Sequence, residues 1–475
     1  SGVGIDIPVG LSSLNSTGKP KSVGGSESET GYMSFFGQLD YNFNNRYYLV
    51  GSVRTDASSR FGKNNKWATF YTVGSSWIIN KEKILNEISW IDLLKLKISY
   101  GTTGNANIAD YLSLGTYSFN IQSTYDGNSG ARPARLENPD LTWEKAYTTN
   151  LGLEFAFANR GKLEIDFYNR TNNNLLQSVP LSAATGFSAQ ERNVGRVRNK
   201  GIDLNLTTTN IDNELRWITN INFNINQNKI LSLNNHEDIS SGVFRLREGL
   251  TMRHYYMKEW AGVDSQTGGP LWVRWEDENG KLIHGADKKG PFKILTTDIY
   301  NQASNLFIKS AYPDLTGGIS NDFFYKNFSL SVYCNYVIGA TINFSQRQSI
   351  DDDGMVLSKG QMNFIKGWTR WEKPGDIATH PRLIFGGNKN SSQPSSRYLE
   401  NGSYFKIQNV TLSYVFPDLF SGLKIYAGID NLAVFTKFSG ADPDVDIESP
   451  NVGQSKWGET YGAPRRYTLG VNLSF

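Results

Sequence analysis

Arg465-Arg466-Tyr467-Thr468-Leu469-Gly470-Val471-Asn472-Leu473-Ser474-Phe475 alternates apolar and polar residues without interruption. Tyr467, Leu469, Val471, Leu473 and Phe475 fall on one side, and Arg466, Thr468, Gly470, Asn472 and Ser474 on the other. A period of two places such sets on opposite faces of a β-strand. A single strand of this kind is equally at home half-buried in a soluble sandwich. Its meaning comes from recurrence.

About thirteen segments of similar length show the same alternation. They are Gly31–Tyr41, Arg46–Thr55, Lys66–Ile79, Leu93–Gly101, Ala146–Ala158, Gly161–Arg170 and Lys200–Thr209 in the first half. Glu214–Ile225, Asp314–Tyr325, Lys326–Val337, Ser403–Phe416, Gly422–Asn431 and Arg465–Phe475 complete the set. Their connections alternate in length. Asn42–Asn45, Asn80–Asp92, Asn159-Arg160, Asn210–Asn213, Tyr325–Asn327 and Pro417–Ser421 are short. Asp56–Asn65, Thr102–Lys145, Thr171–Asn199, Asn226–Pro313, Ile338–Gly402 and Leu432–Pro464 are long. Tight turns at one end and large loops at the other are the pattern of a transmembrane antiparallel β-barrel. The reading predicts an outer-loop segment over residues 1–30 and barrel strands over 31–475. An odd strand count cannot close an even-stranded bacterial barrel, so the remaining strands are expected on a part of the protein outside this sequence.

Composition agrees with that class. The 475 residues carry 48 Lys+Arg against 45 Asp+Glu, a balance that gives a nucleic acid no electrostatic footing. Aromatics reach 13%, which suits both strands and interfacial girdles. No apolar run approaches the ~18 residues of a membrane helix, and a mean hydropathy of −0.43 is compatible with a barrel, where only alternate residues need be apolar. The single cysteine, Cys334, rules out an internal disulfide and reads as a small apolar residue on a strand face.

Several strings are more specific. Ser99-Tyr100-Gly101-Thr102-Thr103-Gly104-Asn105, Asn138-Pro139-Asp140-Leu141-Thr142-Trp143-Glu144-Lys145 and Arg192-Asn193-Val194-Gly195-Arg196-Val197-Arg198-Asn199-Lys200-Gly201 occur in that order. Ala261–Asp264, Thr316–Gly318 and Asp430–Pro443 add to them. Together they resemble the SusC-like TonB-dependent transporters of Gram-negative outer membranes. The resemblance implies a 22-stranded barrel whose N-terminal plug lies outside this chain. It further implies TonB-coupled import of an oligosaccharide or oligopeptide, no cofactor, a SusD-like surface lipoprotein as lid, and Thr102–Lys145 as the candidate hinge for it. Gly470, Leu473 and Phe475 match the C-terminal signal by which such barrels are assembled.

No catalytic constellation stands out. Phosphate loops, dinucleotide fingerprints and Gly-x-Ser-x-Gly are absent from the sequence. His236, His254, His284 and His380 are scattered, with no pair at metal-ligand spacing. Asp351-Asp352-Asp353-Gly354 offers carboxylates to calcium but lacks the alternate spacing of a binding loop, so it reads as a solvated tip. Trp260, Trp272, Trp275, Trp368 and Trp371 lie in the long connections. Flat rings there can stack on sugars or dock a partner, although long loops also need small cores of their own. Two other classes remain: a soluble carbohydrate-binding or glycoside-processing β-protein, and a surface receptor without transport.

Overall fold

In the computed structural model, thirteen strands form one antiparallel sheet in which every neighbour in space is also a neighbour in sequence. Residues 27–473 are described, apart from 84, 86, 119–129, 286–291, 357–362, 418–421 and 445–461. Two short paired strands, Gly4–Ile5 and Lys19–Pro20, are described as well. The sheet strands are β1 (Tyr32–Phe43), β2 (Tyr47–Ser58), β3 (Trp67–Ile78), β4 (Ile91–Asn105), β5 (Glu144–Phe157), β6 (Gly161–Asn173) and β7 (Arg196–Asp212). β8 (Leu215–Ser232), β9 (Leu315–Tyr325), β10 (Phe328–Ile338), β11 (Tyr404–Phe416), β12 (Leu423–Thr436) and β13 (Arg466–Leu473) complete it. All thirteen expected strands are present, and no described helix is long and apolar enough to cross a membrane.

Register turns thirteen separate patterns into two continuous surfaces. Trp77 pairs with Leu96, Leu96 with Leu153, Leu153 with Ile165, Ile165 with Leu204 and Leu204 with Phe223. Across β10 to β13 the row runs Leu330, Leu412, Ala427, Leu469. Cys334 pairs with Ile319 on this same apolar face. A slip of one residue anywhere would expose the wrong set, which is why such a surface pins the register. Aromatic residues bound the band. On the apolar face of β3, Trp67 stacks on Phe35 and Trp77 on Tyr47, with ring centroids 6.1 and 6.3 Å apart. Ten residues at ~3.3 Å each, tilted by ~40°, separate the two tryptophans by ~25 Å along the membrane normal. That matches the height of a barrel's lipid-facing band.

Turn chemistry marks the short end. Asn44 and Asn45 between β1 and β2, Ala158 and Asn159 between β5 and β6, and Lys326 between β9 and β10 all adopt positive φ. Tight hairpin turns call for this, and asparagine tolerates it better than most residues. The opposite end carries connections with their own structure. Residues 233–314 contain a four-stranded and a three-stranded sheet, built on Ile239–Ser241, Phe244–Leu246, His254–Lys258, Asn305–Ser310 and on Trp260–Val263, Pro270–Glu276, Lys293–Thr297.

Two sequence expectations need correction. β7 and β8 extend to Arg196–Asp212 and Leu215–Ser232, well beyond Lys200–Thr209 and Glu214–Ile225, because the hydrogen-bonded ladder continues after the apolar alternation ends. Asp351-Asp352-Asp353 is not a solvated tip: the three carboxylates are at most 1% exposed.

Candidate functional site

The polar face of the sheet is the first element of the site. Its side chains are amides, carboxylates and lysines that satisfy one another across strands. Lys97 on β4 donates to Glu154 on β5 at 2.8 Å, and Asn150 donates to Asp166 on β6 at 2.9 Å. Along β8, Asn220, Asn222, Asn224, Asn226 and Asn228 form a ladder in steps of two, meeting Thr207, Asp203 and Asn199 of β7. A recess of about 530 Å³ opens beside Glu164, Asp166, Asp203, Asn220 and Asn224. Period two keeps these polar side chains together on one face, giving a hydrated lining rather than a packed core.

The second element is a head made from two long connections. Residues 233–314 and 339–403 interlock rather than stand apart. The Tyr255 hydroxyl donates to the Thr341 carbonyl and accepts from the Asn343 amide, each at 3.1 Å. Trp371 Nε1 donates to the Ser265 carbonyl at 2.9 Å, and the Trp260 amide donates to Ser396 at 2.9 Å. Phe244, Tyr255, Met257 and Ala311 form an apolar core beneath them.

At the centre lies the carboxylate run. The chain leaves a short helix, Arg347–Ile350, straight into Asp351. Arg347 reaches Asp351 at 2.8 Å and Glu400 at 2.6 Å. Arg397 spans Asp353 at 2.6 Å and Asp351 at 3.3 Å, while Arg370 holds Asp353 at 2.9 Å. His380 Nε2 sits 3.1 Å from Asp351, and Asp352 caps the amides of Gly354, Met355 and Val356. Burial pushes the Asp351 carboxyl up, but the His380 hydrogen bond, the Arg397 and His380 charges and the Arg347 hydrogen bond outweigh it and hold its pKa at about 2. Burying this many charges is tolerable only because each finds a partner.

The tryptophans belong largely to this packing. Trp272, Trp275 and Trp371 are buried, so their rings are covered by the chain itself. Trp272 meets Trp260 edge-on at 5.7 Å, and Trp275 leans on Phe292 at 5.6 Å. Trp260 and Trp368 are half-buried, with the guanidiniums of Arg397 and Arg347 over their rings at 5.0 and 4.3 Å. The structure therefore gathers Trp260, Trp368 and Trp371 around the ion-pair cluster and its loop, and Trp272 and Trp275 onto the neighbouring small sheet. Gly470 and Leu473 lie on β13, whereas Phe475 falls outside the described residues. A Cβ on Gly470 would collide with the Tyr426 ring of β12, so the glycine makes room for that ring.

The third element is the base of the connection between β4 and β5. Leu141 and Trp143 are buried, and Trp143 packs on Phe61 at 4.5 Å and on Phe70 at 5.7 Å. Trp143 Nε1 donates to the Lys66 carbonyl at 3.0 Å, tying β5 to the β2–β3 connection. Asn193 donates to the Thr142 carbonyl at 2.7 Å and accepts from the Thr142 amide at 2.8 Å. Two of the strings singled out in the sequence thus clasp each other through space, though nothing in either string announces it.

Comparison with known proteins follows this geometry. The family model described as TonB dependent receptor-like, beta-barrel matches residues 6–432. The TonB-dependent receptor P39 of Formosa agariphila is 29% identical over 93% of this chain and 46% of its own length. The TonB-dependent receptor SusC of Bacteroides thetaiotaomicron is 28% identical over 87% of this chain and 41% of its own. The solved structure of the RagAB peptide transporter superposes with a TM-score of 0.79 at 31% identity, covering 94% of this chain and 48% of that one. The chain spans about half the length of the curated relatives it matches.

Proposed function

Because the chain belongs to the family of TonB-dependent receptor-like β-barrels of the outer membrane, we propose that it is the C-terminal portion of a 22-stranded transporter importing an oligomeric nutrient into a Gram-negative cell. TonB supplies the energy through a part of the protein outside this chain, and a SusD-like surface lipoprotein acts as the lid. An oligosaccharide or glycan fragment is the preferred cargo. The support is the arrangement of the sheet: an apolar outside, a wall of amides and carboxylates inside, and every large connection gathered at one end. A broad hydrated wall suits a cargo that keeps much of its hydration, and nothing in this reading calls for catalysis. The interlocked connections give the lid a preformed platform, and burial above ~1,600 Å² in total is expected there.

An oligopeptide is the second reading, favoured by the likeness to RagAB, a peptide transporter. A surface receptor without transport, or a carbohydrate-binding β-protein, is the third. Uptake of fluorescent glycan fragments and of labelled oligopeptides, measured in wild-type cells, a deletion strain and a strain lacking TonB, separates them. Loss of glycan uptake in both mutants is expected. Loss of peptide uptake alone moves the cargo to the second reading, and unchanged uptake of both overturns transport.

A further inference from the structure

The outward face of the sheet continues past its last apolar row. On β7, Lys200 and then Arg198 follow Ile202 in steps of two, and on β8 Gln227 and Lys229 follow Ile225 in the same way. Register sets Lys200 opposite Gln227 and Arg198 opposite Lys229. These positions lie toward the long connections, which in outer-membrane barrels is the external side. At ~3.3 Å per residue and ~40° of tilt, Lys200 and Arg198 stand ~5 and ~10 Å above Ile202. That puts Lys200 within the head-group layer, which adds ~5–7 Å on each side of the hydrocarbon, and Arg198 at its outer edge.

On the same face of β5 the next cation is Lys145, opposite Asn173 and two strands away. At the corresponding rows β4 and β5 carry neutral Tyr100 and Tyr147, which pair with Thr149 and Thr171. Arg198, Lys200 and Lys229 also border a recess of about 420 Å³, whose far wall includes Thr251, Tyr312 and Asp314. Among the described residues none of the three cations forms an ion pair or side-chain hydrogen bond. This differs from the ion-pair cluster of the head, where Arg347, Arg370 and Arg397 each meet a carboxylate. Asp314 leaves the recess with an excess of two positive charges, gathered on the β7–β8 side.

We infer that this recess binds the phosphorylated head group of an outer-leaflet lipid. Arg198 presents a fork that fits two phosphate oxygens, while Lys200 and Lys229 act as point charges beside it. The acyl chains then run down the apolar rows beginning at Ile202 and Ile225. Such a lipid fastens the barrel wall at the foot of the β8–β9 connection. The inference rests on the outer-membrane reading and is independent of the cargo.

The test uses the full-length transporter in phosphatidylcholine nanodiscs with and without phosphatidic acid, released into native mass spectrometry. Wild type is expected to retain phosphatidic acid in preference to phosphatidylcholine. Arg198→Gln/Lys200→Gln/Lys229→Gln should lower that retention about a hundredfold, from the roughly fivefold contribution of each of the three surface cations. Lys326→Gln, which removes a cation at the opposite surface, should leave retention unchanged. Heat-modifiable mobility reports folding, and if the triple variant fails it, Lys200→Gln alone should lower retention about fivefold. Equal retention in wild type and variants overturns the site. Displacement of phosphatidic acid by excess inorganic phosphate, without preference between the two lipids, also overturns it and assigns the recess to a free phosphate.

Discussion

Asp351 shows how a single residue can depend on partners remote in sequence. Its folded pKa of about 2 lies below its ordinary 3.8, so the stability it contributes is complete above pH ~4 and lost as pH falls toward 2. Limited proteolysis of residues 339–403 should therefore rise across that window while the sheet persists. Asp351→Asn should remove much of this pH dependence and loosen the head at neutral pH by ~3 kcal/mol, the low end for breaking a buried pair, since Arg347 keeps Glu400 and Arg397 keeps Asp353. An unchanged proteolysis profile would show that Asp351 is not the titrating group. Gly470 makes a different kind of demand. Gly470→Ala should cost ~1–3 kcal/mol of the last hairpin through collision with Tyr426, read as lower heat-modifiable yield. Adding Tyr426→Ala should restore much of it, and failure of that rescue would place the role of Gly470 elsewhere.

Strands were legible because each carries its own signal. Leu151 and Asn150 are neighbours midway along β5, yet register sends Leu151 to the apolar surface with Ile98 and Phe167, and Asn150 to the polar one with Ser99. Leu151→Arg is expected to cost ~2–4 kcal/mol of folding, and Asn150→Arg close to nothing, in urea titrations of the full-length barrel in vesicles. Similar values would mean the faces are misassigned. The upper ends of β7 and β8 were not legible, since Arg198, Gln227 and Lys229 break the alternation while the backbone ladder continues. The carboxylate cluster was misread for a related reason: the partners of Asp351 and Asp353 lie up to 46 residues away, and local pattern says nothing about them. The tryptophans were read as stacking or docking candidates or as small loop cores, and sequence alone could not tell which rings would be covered.

At the scale of the whole molecule, β1 and β13 each have one partner strand among the described residues. Unpaired backbone edges are not tolerated in hydrocarbon. These 475 residues expressed alone should accordingly aggregate or be degraded. A stable heat-modifiable species from them would contradict the need for further strands. In its native setting the barrel should be recovered, under mild detergent and through a tag on this chain, together with a surface lipoprotein seated on the head. Recovery of the barrel alone would leave the bare receptor as the better account.

The ion-pair cluster also bears on the order of events in the cell. Its carboxylates and guanidiniums must travel through the wall as hydrated, separate groups, because the residues that meet there span the connection from Arg347 to Glu400. They can join only after the whole segment has emerged. On the outer-membrane reading the place where they meet is the far side, so the joining of these pairs there disfavours backward sliding of the chain.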